Sequence, residues 1–277
     1  MKTMTLAILT IISAGIIAGC GSSGTNTPTT SISGKVADGY LVGATVFLDK
    51  NGNYKLDVGE PSTTTDVNGA YTLTVEPADV GTYPIVAMAT KGVTIDMDSG
   101  SPVANSYVLS MPAAAISGTV SSNFISPMSS QLREMMETGN YATMQQAMID
   151  LRAKLGMPAG TNMLADYMAA NDTNMHISAQ NMASMMGSQM SQVLSSDGSV
   201  TTVDVNRYRG MMGTIFSNMS SIKGSSPNAQ PAMSDLMGTM TTTLSNMPMT
   251  NAGQPFRNMS AAFRGGMMGG ATGGMMR

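Results

Sequence analysis

Oxygen-bearing side chains recur along one short segment, residues 49–60. Carboxylates and amides stand at positions 1, 3, 5, 9 and 12, and position 7 can offer its backbone carbonyl; these residues are Asp49, Asn51, Asn53, Asp57 and Glu60, with Lys55 at position 7. A calcium loop places its ligands at this spacing, because Ca²⁺ takes six to eight oxygen atoms at flexible distances. We therefore predict a Ca²⁺ site here, and Ca²⁺ is the one cofactor that the sequence indicates.

The segment departs from the usual calcium loop in two ways. Position 6, normally glycine, is Tyr54, and the nearest glycine is Gly52. The flanking residues have the pattern of strands, so the segment is not an EF-hand. The alternative is a solvated turn in which Asp and Asn bond their own backbone. Asp96 and Asp98 form a second acidic pair, which we interpret as a hairpin turn, with an acidic corner as the alternative.

The N-terminus has the pattern of an export signal. Lys2 precedes an uncharged apolar run, residues 6–18, which is shorter than the ~20 residues needed to cross a membrane. The segment 1–20 ends in Ile-Ala-Gly-Cys, which resembles a bacterial lipobox and implies that lipid is attached to Cys20, the only cysteine. We expect residues 1–19 to be a signal peptide and residues 20–31 to be a lipidated, flexible tether.

That resemblance also predicts where the protein lies. Gly21 after the lipidated Cys20 favours the outer membrane over retention in the inner one. We therefore expect a lipid-anchored protein of the cell envelope, on the periplasmic or the surface-exposed side, with the membrane as its partner through the anchor.

The composition argues against several classes of function. The net charge of −3 argues against a nucleic-acid-binding protein, and one Cys excludes a disulfide framework or a thiolate metal cluster. The single His excludes poly-histidine metal chemistry. The chain has no Gly-x-Ser-x-Gly, phosphate-loop or His-Glu-x-x-His motif. We therefore predict a protein that is not an enzyme.

The composition changes sharply near residue 120. Lys and Arg number 4 against 9 Asp and Glu over residues 20–127, whereas residues 128–277 hold 9 against 8 and 26 of the 31 Met. We predict a two-domain α+β chain with three regions after the tether, namely an antiparallel β-sandwich over 32–120, a Met-rich helical bundle over 121–250 and a flexible Gly/Met tail over 251–277.

The first of these regions contains short β-branched and apolar runs separated by turn signals. The expected strands lie at 32–36, 44–48, 70–75, 83–87 and 106–109. SISGKVADGYLVGATVFLD and DVNGAYTLTV resemble the prealbumin-like sandwiches of carboxypeptidase regulatory-like domains and the B-type repeats of bacterial surface adhesins. The resemblance covers about residues 32–112. It implies a spacer, stalk or binding module, and as ligand a protein or a surface polymer.

The second region carries apolar stripes at helical spacing. Ser126 and Pro127 indicate a helix start. The stripes predict four helices, and we expect a short fifth one near Leu164 to Met168. Met182, Met186, Met212 and Met219 lie on two of these stripes, where packing places core residues.

The abundance of methionine has two interpretations. The first is a soft, gap-filling core. The second is a thioether store for Cu(I) or Ag(I), since soft sulfur selects soft metals. Gly/Met repeats in the tail cannot form a core, so Met267, Met268, Met275 and Met276 are the candidate Cu(I) ligands. The favoured function is a calcium-braced binding or structural lipoprotein, and the alternative is a lipoprotein that binds Cu(I) or Ag(I).

Overall fold

The structure is a computed structural model that describes residues 28–117, 123–196, 201–222 and 229–249. These ranges form a mixed α+β fold with five α-helices and several antiparallel sheets. The predicted signal peptide, Cys20 and the Gly/Met tail lie outside the described residues.

The β-rich part is built from strands whose side chains alternate between core and solvent. In the strand Ala70–Val75, for example, Tyr71, Leu73 and Val75 are buried while the residues between them are exposed. The strands that precede the first helix are β1 (Thr30–Val36), β2 (Leu41–Val42), β3 (Thr45–Leu48), β4 (Ser62–Thr64), β5 (Ala70–Val75), β6 (Ile85–Ala89), β7 (Ile95–Asp96), β8 (Ser101–Pro102), β9 (Tyr107–Met111) and β10 (Asn123–Ile125).

These strands form three sheets, with orders β10-β1-β5, β4-β3-β6-β9 and β2-β7-β8. All but one of their pairings are antiparallel, and each of the five predicted strands overlaps an observed one. The exception is β10, which runs parallel to β1 with Gly34 opposite Asn123. Residues 123–125 were expected in the helical region, and they instead complete a sheet of the β-rich part.

The helices are α1 (Pro127–Glu137), α2 (Met144–Leu155), α3 (Thr173–Val193), α4 (Val205–Ile222) and α5 (Ala229–Asn246). The predicted start of α1 is confirmed, because the Ser126 side chain caps the helix by accepting from the Ser129 N–H and Pro127 is its first residue. The short helix expected near Leu164 to Met168 is absent, and these described residues form turns. Between α3 and α4 lies a hairpin of β11 (Leu194–Ser196) and β12 (Thr201–Val203).

The stripe methionines form the core of the helical part. Met182, Met186, Met212 and Met219 are all fully buried, which confirms the packing interpretation for these four residues. The core is continuous across the β-rich and helical parts. Tyr208 of α4 donates to the Val108 carbonyl at 2.9 Å, and Ser129 of α1 donates to the Ser110 carbonyl at 2.7 Å. Among the described helices, none is both long and apolar enough to cross a bilayer.

Candidate functional site

The predicted calcium loop joins β3 to β4, and three of its candidate ligands meet at one point. The amide nitrogens of Asn51 and Asn53 lie 2.8 and 2.7 Å from Asp57 Oδ2. These two donors stabilise the carboxylate and hold the pKa of Asp57 below its ordinary value. Lys55 Nζ lies 3.6 Å from the other Asp57 oxygen. Positions 3, 5 and 9 of the loop are therefore assembled around a single carboxylate.

Glu60, at position 12, closes the loop. Its two carboxylate oxygens accept from the Lys50 N–H at 2.7 Å and from the Asp57 N–H at 2.9 Å. Partial burial raises the pKa of Glu60, against the effect of these two hydrogen bonds. The carboxylate thus joins the beginning of the loop to its end.

Asp49, at position 1, is fully buried, and its two carboxylate oxygens contact different parts of the molecule. Its Oδ1 accepts from the Asn53 N–H at 3.0 Å, and its Oδ2 lies 2.9 Å from Arg133 Nη2 on α1. The first contact shapes the loop, and the second connects the loop to the helical part. The sequence pattern indicated the first role of Asp49 but not the second.

Tyr54 stands where calcium loops carry glycine, and its backbone makes the turn that glycine usually provides. Its φ is 60°, in the left-handed region that is costly for a residue with a side chain. Burial compensates, because the ring is fully buried, lies 4.6 Å from the Tyr208 ring and has the Arg133 guanidinium 4.0 Å from its centroid. Tyr54, which replaces the usual glycine at position 6, therefore connects the loop to α1 and α4.

The donor chemistry of the loop fits a hard cation, since carboxylate, amide and carbonyl oxygens are available within one turn. In the present arrangement the two amides turn their nitrogens toward Asp57. A cation at this point requires both amides to rotate so that their oxygens face it. Within the described residues, no group of three or more His, Cys, Asp or Glu side chains is placed to hold a metal ion, so the amides and a carbonyl have to complete the ligand set.

Asp49 belongs to a charged network that we call the junction cluster, made of Asp49, Arg133, Glu134, Glu137 and Arg209. All of these residues except Glu137 are buried. Arg133 Nε lies 2.7 Å from Glu137 Oε1, one helical turn away. Arg209 of α4 pairs with Glu134 at 2.9 Å and also contacts Glu137. Only the Arg133–Glu137 pair could have been found from the sequence, by its i,i+4 spacing.

The junction cluster holds three carboxyl groups and two guanidinium groups. Burial raises the pKa of Glu134 to about 7, although Arg209 opposes this effect. The Tyr54 hydroxyl donates to Glu134 Oε1. Because it is fully buried, this carboxyl holds its proton more tightly than an exposed one.

The remaining candidates fall elsewhere. His176 is partly buried, and its Nε2 lies 2.6 Å from Asp98 Oδ2. The turn expected at Asp96 and Asp98 is present between β7 and β8. The candidate Cu(I) ligands Met267, Met268, Met275 and Met276 lie outside the described residues.

Comparisons with known proteins identify no relative. No family model matches the chain, and neither a curated protein nor a solved structure matches it. The loop and the junction cluster are therefore the features that indicate a function.

Proposed function

We propose that this chain is a lipid-anchored protein of the cell envelope, without enzymatic activity, in which a calcium loop braces the β-rich part against the helices. Cys20 would anchor it to the outer membrane, and the braced body would serve as a binding or structural module for a protein or a surface polymer. The observation that carries this proposal is the position of Asp49, which belongs to the loop and is also ion-paired with Arg133 of α1.

The brace follows from which loop residues face the helices. Asp49 and Tyr54 are fully buried, and both contact side chains of α1. A cation that fixes the loop would therefore fix two side chains that already hold the helical part. A calcium site on an exposed hairpin would instead stabilise only the strands next to it.

Thermal unfolding of the full chain in millimolar Ca²⁺ and in EDTA tests whether Ca²⁺ binds the loop and stabilises the chain. Ca²⁺ at ten times its dissociation constant adds about 1.4 kcal/mol, which corresponds to a rise in Tm of roughly 3–5 °C. Asp57→Asn should remove most of this rise. The matched control is Asp66→Asn, because Asp66 likewise accepts two N–H donors in a turn, in its case from the backbone, but lies outside the loop. Identical melting curves in Ca²⁺ and EDTA would contradict the calcium brace.

The anchor is tested separately. Mass spectrometry of the membrane-extracted protein should show an acylated Cys20 as the first residue, and Cys20→Ser should move the protein into the soluble fraction. A mature chain that begins at another residue would overturn the anchor without affecting the calcium result.

A further inference from the structure

A cavity of about 390 Å³ lies between the β7–β8 hairpin and helix α3, away from the calcium loop. Its volume is in the range of small-molecule sites and is far larger than a metal ion needs. Carboxylates line one wall, and the walls also include Tyr107, Val103 and, from α3, Gln180 and Ala183.

One residue of this cavity, Asp38, has a buried oxygen that indicates a ligand. It is only 9% exposed, and its Oδ2 accepts from the Tyr107 hydroxyl at 2.9 Å. Its Oδ1 is buried and has no hydrogen-bond partner among the described residues. A buried carboxylate oxygen without a partner is costly, and Asp38 lines the cavity, so a bound donor would remove that cost.

Two further carboxylates lie beside Asp38. A Cβ on Gly39 would stand 2.5 Å from Asp98 Oδ2 and 2.6 Å from Asp96 Oδ1, so both side chains crowd over this glycine. Asp98 is held by Gln180 Nε2 at 2.8 Å and by His176. Among the described residues that line the cavity, none is Lys or Arg. The three acids therefore face the cavity without a basic side chain in its walls.

We propose that this cavity binds a small organic cation, namely a primary ammonium or guanidinium group on a short alkyl chain. The charged end would donate to Asp38 Oδ1 and lie in the field of Asp96 and Asp98. The alkyl part would lie against Val103 and Ala183. A bare metal ion fits less well, because the walls are partly apolar and the cavity is far larger than an ion.

The ionisation of Asp38 agrees with this inference. Burial raises the pKa of Asp38 to about 7, and the charges of Asp96 and Asp98 act in the same direction, whereas the Tyr107 hydroxyl opposes them. The Tyr167 hydroxyl also faces this turn and donates to the Asp38 carbonyl at 3.3 Å. His176 contacts Asp98 and stacks on the Tyr167 ring. A cationic ligand favours the ionised carboxylate, so its affinity should increase between pH 6 and pH 8.

The test is saturation-transfer NMR on the full chain, with 1,4-diaminobutane, n-butylamine and n-butylguanidinium as probes. All three should show saturable contact at pH 8, whereas the neutral analogue 1-butanol should show little. Asp38→Asn keeps an oxygen that can accept from Tyr107 but removes the charge, so it should weaken binding about tenfold or more. The matched control Asp235→Asn, an exposed aspartate on α5 that does not line the cavity, should leave the affinity unchanged.

A second variant tests the location of the ligand. Ser184 lines the cavity from the exposed face of α3, so Ser184→Phe should fill the cavity and abolish the signal while the fold persists. Equal binding of 1-butanol and n-butylamine, or unchanged affinity in both Asp38→Asn and Ser184→Phe, would overturn the inference. Displacement of every amine by millimolar Ca²⁺, with Ca²⁺ binding also lost in Asp38→Asn, would show a metal site instead.

Discussion

Two buried aspartates of the described β-rich part, Asp49 and Asp38, lie next to the helices, and they differ in the charge that faces them. In the junction cluster, Asp49 faces the guanidinium of Arg133. In the cavity between the β7–β8 hairpin and α3, Asp38 faces only neutral donors and other acids. A buried acid next to a fixed guanidinium serves as a structural contact, whereas one without such a neighbour leaves room for a cation from outside.

The difference originates in the helices. Helices α1 and α4 bring Arg133 and Arg209 to the junction cluster. Helix α3 has 21 residues and contains no Lys, Arg, Asp or Glu, so it presents only neutral side chains to the cavity. Substitutions in the two regions should therefore have opposite effects on stability.

The largest effect is expected for Arg133→Ala. The substitution leaves Asp49 buried without its ion partner and removes a side chain that is itself fully buried. Loss of one partner of a buried pair costs about 3–5 kcal/mol. Urea denaturation of the full chain measures this loss, with the exposed Lys91→Ala as a control that should stay within about 0.5 kcal/mol. A loss below about 1 kcal/mol would remove the contrast between the two regions.

A smaller change in stability, of the opposite sign, is expected when Asp38 is replaced. This change depends on pH. Because the pKa of the folded Asp38 carboxyl is raised to about 7, the folded chain holds a proton that the unfolded chain releases near pH 4. Stability should therefore fall as pH rises from about 4 to about 7. The raised pKa of Glu134 acts in the same direction.

Asp38→Asn should flatten this pH dependence and make the chain more stable than wild type at pH 8. Urea titrations at pH 5 and pH 8 measure both effects, and Asp235→Asn, which changes the charge equally on the exposed face of α5, should reproduce neither. If Asp38→Asn destabilises the chain at pH 8, the acid in the cavity is a structural contact like Asp49.

The smallest effect is expected in the apolar core between these charged places. Replacing Met182, Met186, Met212 and Met219 with Leu conserves volume, and such changes usually cost less than about 1.5 kcal/mol each. The helical circular dichroism of the quadruple variant should be unchanged. If the chain binds Cu(I), the number of bound ions should be unchanged in the quadruple variant. It should decrease when Met267, Met268, Met275 and Met276 are deleted. Loss of tight Cu(I) binding in the folded quadruple variant would instead support the metal-store interpretation.

The features that follow from local periodicity could be predicted from the sequence. The five predicted strands, the start of α1 at Ser126 and Pro127, and the burial of the stripe methionines all depend on the spacing of neighbouring residues. The prediction of a short helix near Leu164 was wrong, because so short a segment does not carry enough apolar residues to distinguish a helix from a series of turns.

The contacts between distant residues could not be predicted in this way. The pairing of Asp49 with Arg133 joins residues 84 positions apart, and the hydrogen bond from Tyr107 to Asp38 joins residues 69 apart. Neither has a local signature. Strand β10 was missed for a related reason, since its three residues pair in parallel with the distant β1 and show no alternation of their own.

A double-mutant cycle between Asp49 and Arg133 tests most directly whether the loop is joined to the helices by this pair. Asp49→Asn keeps an acceptor for the Asn53 N–H, and Arg133→Met keeps much of the side-chain volume. Arg133→Met also removes the ion pair with Glu137, but that loss is common to both arms of the cycle and cancels. Urea denaturation of the four proteins should give a coupling energy of about 1–3 kcal/mol, the range for residues that share an ion pair. A coupling energy of zero, within about 0.3 kcal/mol, would contradict the claim that this contact braces the β-rich part against α1.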